Sequence, residues 1–254
     1  MVPRYRIGSL FSGIGGLEAG LEMGIAGAET IWQVESNDFC RGILRRHWPS
    51  AQIYDDVCTV GAHNLSGVDI LCGGFPCQGF SRAGKMGGLE DERSGLWWEM
   101  HRIIGELRPR VVVLENVSAL LIWGFREVLG SLAELRYDAE WCVVSASQFG
   151  APHKRDRLFV VCYPSGSSDE GRAAANGDNL YTVNAVQAGG SSSVVYAAED
   201  GRSYWDKTET PPRLCGVDDG VSARVDRCKA LGNSVVPQCG KWVGEQIMKA
   251  GILN

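Results

Sequence analysis

Cys77 lies in the run GGFPCQGFS, between a proline and a glutamine, in a stretch too short and too glycine-rich for a helix. It follows the apolar strand VDILCGG, Pro76 helps to fix the local backbone, and the sulfur is set to face a cleft at the sheet's carboxyl edge. The next segment, QGFSRAGKMGGLEDERSG, carries five glycines and both charges and reads as a mobile lid. A second reactive group comes from VVVLENV, where Glu115 follows four apolar residues and Asn116 stands beside it. Partial desolvation of that acid raises its pKa, and a rise of about two units corresponds to about 2.7 kcal/mol and equips it to donate a proton near neutrality. In QFGAPHKRDRLFVV, Arg155 and Arg157 lie two apart in an extended lead-in to a strand, so both point the same way, toward a carbonyl oxygen of a base or a phosphate. Thiol, acid and guanidinium at one sheet edge suit addition to an electron-poor pyrimidine. The thiolate bonds to C6, the acid protonates N3, an arginine polarises O2, and C5 becomes nucleophilic toward a carbon electrophile.

A binding loop accompanies this chemistry. In FSGIGGLEAGLE, Gly13, Gly15 and Gly16 form a sharp strand-to-helix turn whose amides can approach a ligand closely. The dinucleotide fingerprint G-x-G-x-x-G fails, because a glycine is required at position 18 and Glu18 stands there. Glu35, at the end of the second strand, is placed to take both hydroxyls of a ribose, and Asp56 in YDDVCTV to face an adenine amino group. The loop and the two acids together suggest an adenosine-containing cofactor without requiring a pyrophosphate.

The elements that must position these groups are short apolar runs alternating with helical stretches. YRIGSLF, TIWQVES, VDILCGG, VVVLENV, AEWCVVSA and LFVVCYP read as strands, with helices near 15–26, 38–48, 95–107 and 120–136 and a last one over 235–250. Continuous apolar strands separated by helices imply an α/β fold, a doubly wound, Rossmann-like and mostly parallel sheet covered on both faces. From Tyr163 the composition turns to Ser, Gly, Asn and Asp without helical or strand period, which sets a boundary and a small irregular region.

The chain has 254 residues and a net charge of -5, so any surface that holds nucleic acid must be a local basic patch. Residues 165–200 carry five acids against Arg172, whereas 201–254 carry eight bases against six acids. Nine scattered cysteines without a CxxC pair, and no histidine at zinc-site spacing, read as reduced thiols without structural metal. With no apolar run of membrane length and no signal-peptide pattern, a cytoplasmic location is expected.

Taken in order, these stretches resemble the cytosine-5 DNA methyltransferases. FSGIGG is similar to that family's S-adenosylmethionine loop, FPCQGFS to its nucleophile motif, ENV to its acid motif, RDR to its paired arginines and ALGNSVVP to its late asparagine motif. The resemblance implies Cys77 as nucleophile, Glu115 as the proton donor to N3, and Arg155 and Arg157 as substrate-positioning groups. It implies an S-adenosyl-L-methionine site lined by Phe11, Gly13, Gly15, Gly16, Leu17, Glu35, Ser36, Asp56, Val57, Pro76, Leu96, Asn233, Ser234 and Val235, with S-adenosyl-L-homocysteine as product and no metal. Ser81 to Arg93 resembles the catalytic loop, so that Ser81, Arg82, Lys85 and Arg93, with Lys154, would contact double-stranded DNA while the target cytosine is flipped out. The implied organisation is a catalytic domain over 1–164, a short target-recognition region over 165–228 and a closing catalytic segment over 229–254. His153 departs from the family, which has Gln before the paired arginines. A monomer accompanied by a cognate restriction endonuclease is the expected context. An RNA cytosine-5 methyltransferase of the same catalytic type, and a catalytically silent DNA-binding protein of this fold, are the alternatives.

Overall fold

The computed structural model describes residues 4–76, 95–122, 124–166 and 224–253. Seven strands form one sheet: β1 (Tyr5–Leu10), β2 (Ala28–Val34), β3 (Gln52–Tyr54), β4 (Ile70–Gly73), β5 (Val111–Val117), β6 (Tyr137–Ser145) and β7 (Asp156–Pro164). Their order across the sheet is β3-β2-β1-β4-β5-β7-β6. The first five are parallel, and β7 runs antiparallel to both β5 and β6. The helices are α1 (Gly16–Gly24), α2 (Asp38–His47), α3 (Gly95–Leu107), α4 (Phe125–Glu134), α5 (Arg224–Asn233) and α6 (Pro237–Lys249). The doubly wound, mostly parallel α/β sheet expected from the sequence is therefore the observed architecture, with an antiparallel edge.

Alternating strand residues feed two apolar layers, as the two-residue side-chain period requires. Val112 and Leu114 of β5, with Leu158 and Val160 of β7, pack with Trp97, Met100 and Ile103 of α3 and Val128 and Leu132 of α4. Val111 and Val113, with Phe159 and Val161, pack on the other face with Leu17 and Leu21 of α1 and Trp242, Val243 and Ile247 of α6. Each fully buried aliphatic side chain contributes about 1.5–3 kcal/mol relative to exposure. Helices α1 and α6 approach at backbone distance. A Cβ at Gly16 would fall 2.1 Å from the Val235 carbonyl oxygen, and one at Gly20 would fall 2.4 Å from that of Pro237.

From β1 the chain winds outward to β2 and β3, then returns past β1 to β4 and β5. The reversal of strand order lies between β1 and β4, where open α/β sheets leave a crevice at their carboxyl ends. The loops after β1 and β4 meet there. The buried cysteines Cys40, Cys72, Cys142, Cys162 and Cys239 and the exposed Cys58 are free thiols. Among the described residues no helix is long and apolar enough to cross a membrane. Most of the expected recognition region lies outside the described residues, and α5 begins within its last part.

Candidate functional site

The glycine loop leaves β1 through three left-handed residues, Phe11 (φ 57°), Gly13 (φ 56°) and Gly15 (φ 85°), the last of which caps α1. At Phe11 this conformation is uncommon for a residue with a side chain, and such strain collects at ligand sites. Glu35 at the end of β2 organises the turn. Its carboxylate accepts the Gly13 N–H at 2.7 Å and the Asn37 N–H at 2.8 Å, and Asn37 in turn caps α2 by accepting from the Cys40 N–H at 3.1 Å. The Glu35 carboxylate oxygens keep lone pairs for further donors.

At the other end of the same cavity, Glu115 of β5 is 8% exposed. Arg157 Nε lies 2.9 Å from Glu115 Oε1, an ion-pair contact in which the N–H is not directed well enough onto that buried oxygen to make a hydrogen bond. Burial dominates the electrostatics, lifting Glu115 from 4.5 to about 7 although Arg157 and then Arg155 pull it down. Arg155 donates from Nη2 to the Ser234 carbonyl at 2.7 Å and so ties the arginine pair to the segment leading into α6. Burial, and then Arg157, lower the Arg155 pKa. Asn116 donates from Nδ2 to the Phe75 carbonyl at 3.0 Å, which fixes the loop that leads through Pro76 toward Cys77.

One cavity of about 490 Å³ joins the two ends, a volume within the range of small-molecule sites. Of the expected residues, Phe11, Gly13, Gly16, Leu17, Glu35, Ser36, Pro76, Glu115, Arg157, Asn233, Ser234 and Val235 line it. Gly15, Asp56, Val57, Leu96 and Arg155 are outside that lining. A Cβ at Gly15 would meet Trp48, and Asp56 caps a single helical turn by accepting the Cys58 N–H at 2.9 Å. Lys154 is exposed beside Asp156 at 3.4 Å, and His153 is exposed. Cys77, Ser81, Arg82, Lys85 and Arg93 lie outside the described residues.

The lining also includes residues that the sequence reading did not single out, among them Ser12, Glu18, Asn37, Cys40 and Asp226. Asn37 was visible as a helix cap two residues after Glu35. Glu18 was visible as an acid between Leu17 and Leu21 on the face of α1 that must be buried. Cys40 is the described thiol in this lining, and burial, followed by Glu35 and Asp226, pushes it up to about 11, which makes it a poor nucleophile.

The glycine-loop end of the cavity leaves room for a ligand. Gly13 faces open space, with nothing within 4 Å of where a Cβ would stand, and Glu35 supplies the carboxylate beside it. A family model for C-5 cytosine-specific DNA methylases matches residues 5–189. The type II methyltransferase M1.ScrFI of Lactococcus lactis subsp. cremoris is 34% identical over 164 residues, covering 62% of this chain and 41% of its own. M.HhaI of Haemophilus parahaemolyticus is 33% identical over 158 residues, covering 61% and 47%. The chain thus spans less than half the length of these two relatives. Among solved structures, a candidate DNA modification methyltransferase encoded within an E. coli prophage superposes with a TM-score of 0.53 at 28% identity, covering 63% of this chain and 47% of that one.

Proposed function

The chain belongs to the C-5 cytosine-specific DNA methylase family, and on that premise we propose that it methylates C5 of cytosine in duplex DNA through a covalent bond between Cys77 and C6. The observation that carries this reading is a single cavity that runs from the glycine loop and Glu35 to a buried carboxylic acid, Glu115, poised near neutrality beside Arg157. Phe11, Gly13, Gly16, Leu17, Glu35, Ser36, Asn233, Ser234 and Val235 would hold S-adenosyl-L-methionine. When bound, that cofactor supplies the electrophilic methyl group.

In the proposed sequence, the Cys77 thiolate bonds to C6 of a flipped cytosine while Glu115 gives its proton to N3. The electron pair displaced from the C5–C6 double bond then resides at C5, which takes the methyl group. Transfer of the C5 proton to solvent water restores the double bond, expels the Cys77 sulfur as thiolate and lets N3 return its proton to Glu115. Arg157 restrains the acid and offers donors to O2 of the base, and Lys154 at the exposed rim is suited to a phosphate. The type II methyltransferase names of the relatives support an accompanying restriction endonuclease in this reading.

Duplex DNA with 5-fluorocytosine at every cytosine, incubated with cofactor and protein, tests the mechanism. C5 then has no proton to lose, so a denaturation-resistant protein–DNA adduct should accumulate and should be absent with Cys77→Ser. No adduct from the wild-type protein, or labelled methyl transfer to tRNA and none to DNA, would refute the proposal.

A further inference from the structure

Glu18 projects from the first turn of α1 into the layer between that helix and the sheet and is 0% exposed. Gln33 of β2 is equally buried and donates from Nε2 to Glu18 Oε1 at 3.2 Å. The second atom of each group, Glu18 Oε2 and Gln33 Oε1, is buried without a hydrogen-bond partner. Both orphans are acceptors, and a buried acceptor left unpaired costs about 1–3 kcal/mol. Among the described residues no cation forms an ion pair with Glu18, and an uncompensated buried carboxylate is more costly still. A single proton on Glu18 Oε2 resolves both problems, because it removes the charge and supplies a donor for the unpaired Gln33 Oε1.

We propose that Glu18 and Gln33 form a neutral acid–amide pair, with two complementary hydrogen bonds, that locks α1 to β2 and makes Glu18 a positioning residue for the glycine loop and Glu35. The placement follows from the chain. Glu18 lies two residues after Gly16, and Gln33 two residues before Glu35, so the pair joins the elements whose ends meet in the hydrogen bond from Gly13 to Glu35. Burial favours the neutral acid against two nearby donors. The hydroxyls of Ser9 on β1 and Ser12 in the loop face the carboxyl, and Ser12 Oγ donates to Ser9 Oγ at 2.9 Å. The titratable neighbours are Cys72 on β4, itself pushed far up by burial, and Glu22, whose Oε1 accepts the Thr30 N–H at 2.8 Å and the Trp48 Nε1–H at 2.9 Å. Burial raises the Glu18 pKa from 4.5 against the smaller opposing pull of its hydrogen-bond donors. This pairing also accounts for an acid at the position where a dinucleotide-binding loop requires glycine: the position here braces the loop from beneath.

The role in cofactor binding rests on the proposed function, but the pairing itself can be tested without it. Unfolding of the wild-type chain and of Glu18→Gln is followed in denaturant from pH 5 to pH 8. A carboxyl whose folded pKa is raised stabilises the fold most fully below its unfolded value of 4.5, and that contribution is lost as pH rises toward the folded pKa. Relative to Glu18→Gln, the wild-type unfolding constant should therefore rise with pH, by up to about tenfold per pH unit, until the folded pKa is passed. Parallel curves would mean an ionised Glu18 and overturn the pair. For the positioning role, S-adenosyl-L-methionine binding is titrated calorimetrically. Glu18→Gln, which keeps the donors and acceptors, should rescue most of the affinity, whereas Glu18→Met should weaken it about tenfold because the hydrogen bonds that hold α1 to β2 beneath the glycine loop are gone. Should Glu18→Met fail to fold, the double variant Glu18→Met with Gln33→Met removes both partners and should fold with the same weakened binding. Wild-type affinity in that double variant would overturn the positioning role. A wild-type protein that binds no cofactor would count against the proposed function and leave the pH-linked result standing.

Discussion

Replacement of Glu115 by Gln tests how burial sets the proton donor. Moving a carboxyl from 4.5 to about 7 corresponds to about 3 kcal/mol in favour of the protonated form. If the acid must be protonated and Cys77 ionised, kcat/KM for DNA should rise about tenfold per pH unit up to about pH 7, stay nearly level while the losing acid and the gaining thiolate offset each other, and fall about tenfold per pH unit above about 8.5, the ordinary thiol value. The two limbs give a bell centred near pH 7.8, where about two per cent of the enzyme holds both required states. Glu115→Gln should lower kcat/KM by about 100- to 10,000-fold and abolish the descending limb. The measurement is initial-rate methyl transfer to duplex DNA at saturating cofactor, from pH 5.5 to pH 9. Stability provides a second reading with a fixed sign. The raised pKa of Glu115 stabilises the wild type, relative to the Gln variant, fully below 4.5, and this is lost as pH rises through about 7, about 300-fold in the unfolding constant altogether. A wild-type activity profile that climbs to pH 9 in parallel with the variant's would refute the assignment of Glu115 as the acid.

Arg157→Met removes the cation 2.9 Å from Glu115, so the ascending limb should level off at higher pH while kcat/KM falls about 100-fold, both read from the same pH series. Glu35→Ala takes the acceptor from the Gly13 and Asn37 N–H groups, and calorimetric titration should show S-adenosyl-L-methionine bound about 10- to 100-fold more weakly. Gly16→Ala puts a methyl group 2.1 Å from the Val235 carbonyl oxygen, and the overpacking should cost about 1–3 kcal/mol, seen as a lower Tm.

The strands with long apolar runs were legible in the sequence because burial on both faces leaves no polar interruption, as in β5 and β7. What escaped had weak patterns. Strand β3 is three residues, QIY, at the sheet edge, and α5, RVDRCKALGN, is too polar to show a helical stripe. The helix expected over 120–136 divides into a single turn over Ser118–Leu121 and α4, because Gly124 takes φ 101° and starts a new helix. The site was legible where a residue type has little other use, as with Gly13, Glu35, Glu115 and Arg157. Asp56 shows the opposite case: an acid beside a short strand serves equally well as a cap, and here it caps the turn over Val57–Thr59. Glu18 was noticed only as a missing glycine, because a helical pattern shows that a position is buried and not which group it will meet.

Direction and register, neither visible in the composition of a strand, decide whether RDR reaches the acid at all. In a wholly parallel sheet the start of β7 would lie at the edge opposite the end of β5, and Arg157 would be a strand length away from Glu115. Because β7 is antiparallel, its first residues lie against the last residues of β5, with Arg157 opposite Val117 and Phe159 opposite Glu115. Arg157 and Glu115 are therefore diagonal neighbours on one face, about 7–8 Å apart at the backbone and within reach of a long side chain. A slip of one residue would turn Arg157 to the other face and leave Glu115 a lone buried acid. The cation that restrains the proton donor is thus selected by strand polarity, and one reversed strand, inserted between β5 and the edge strand β6, converts a basic lead-in into part of the candidate site.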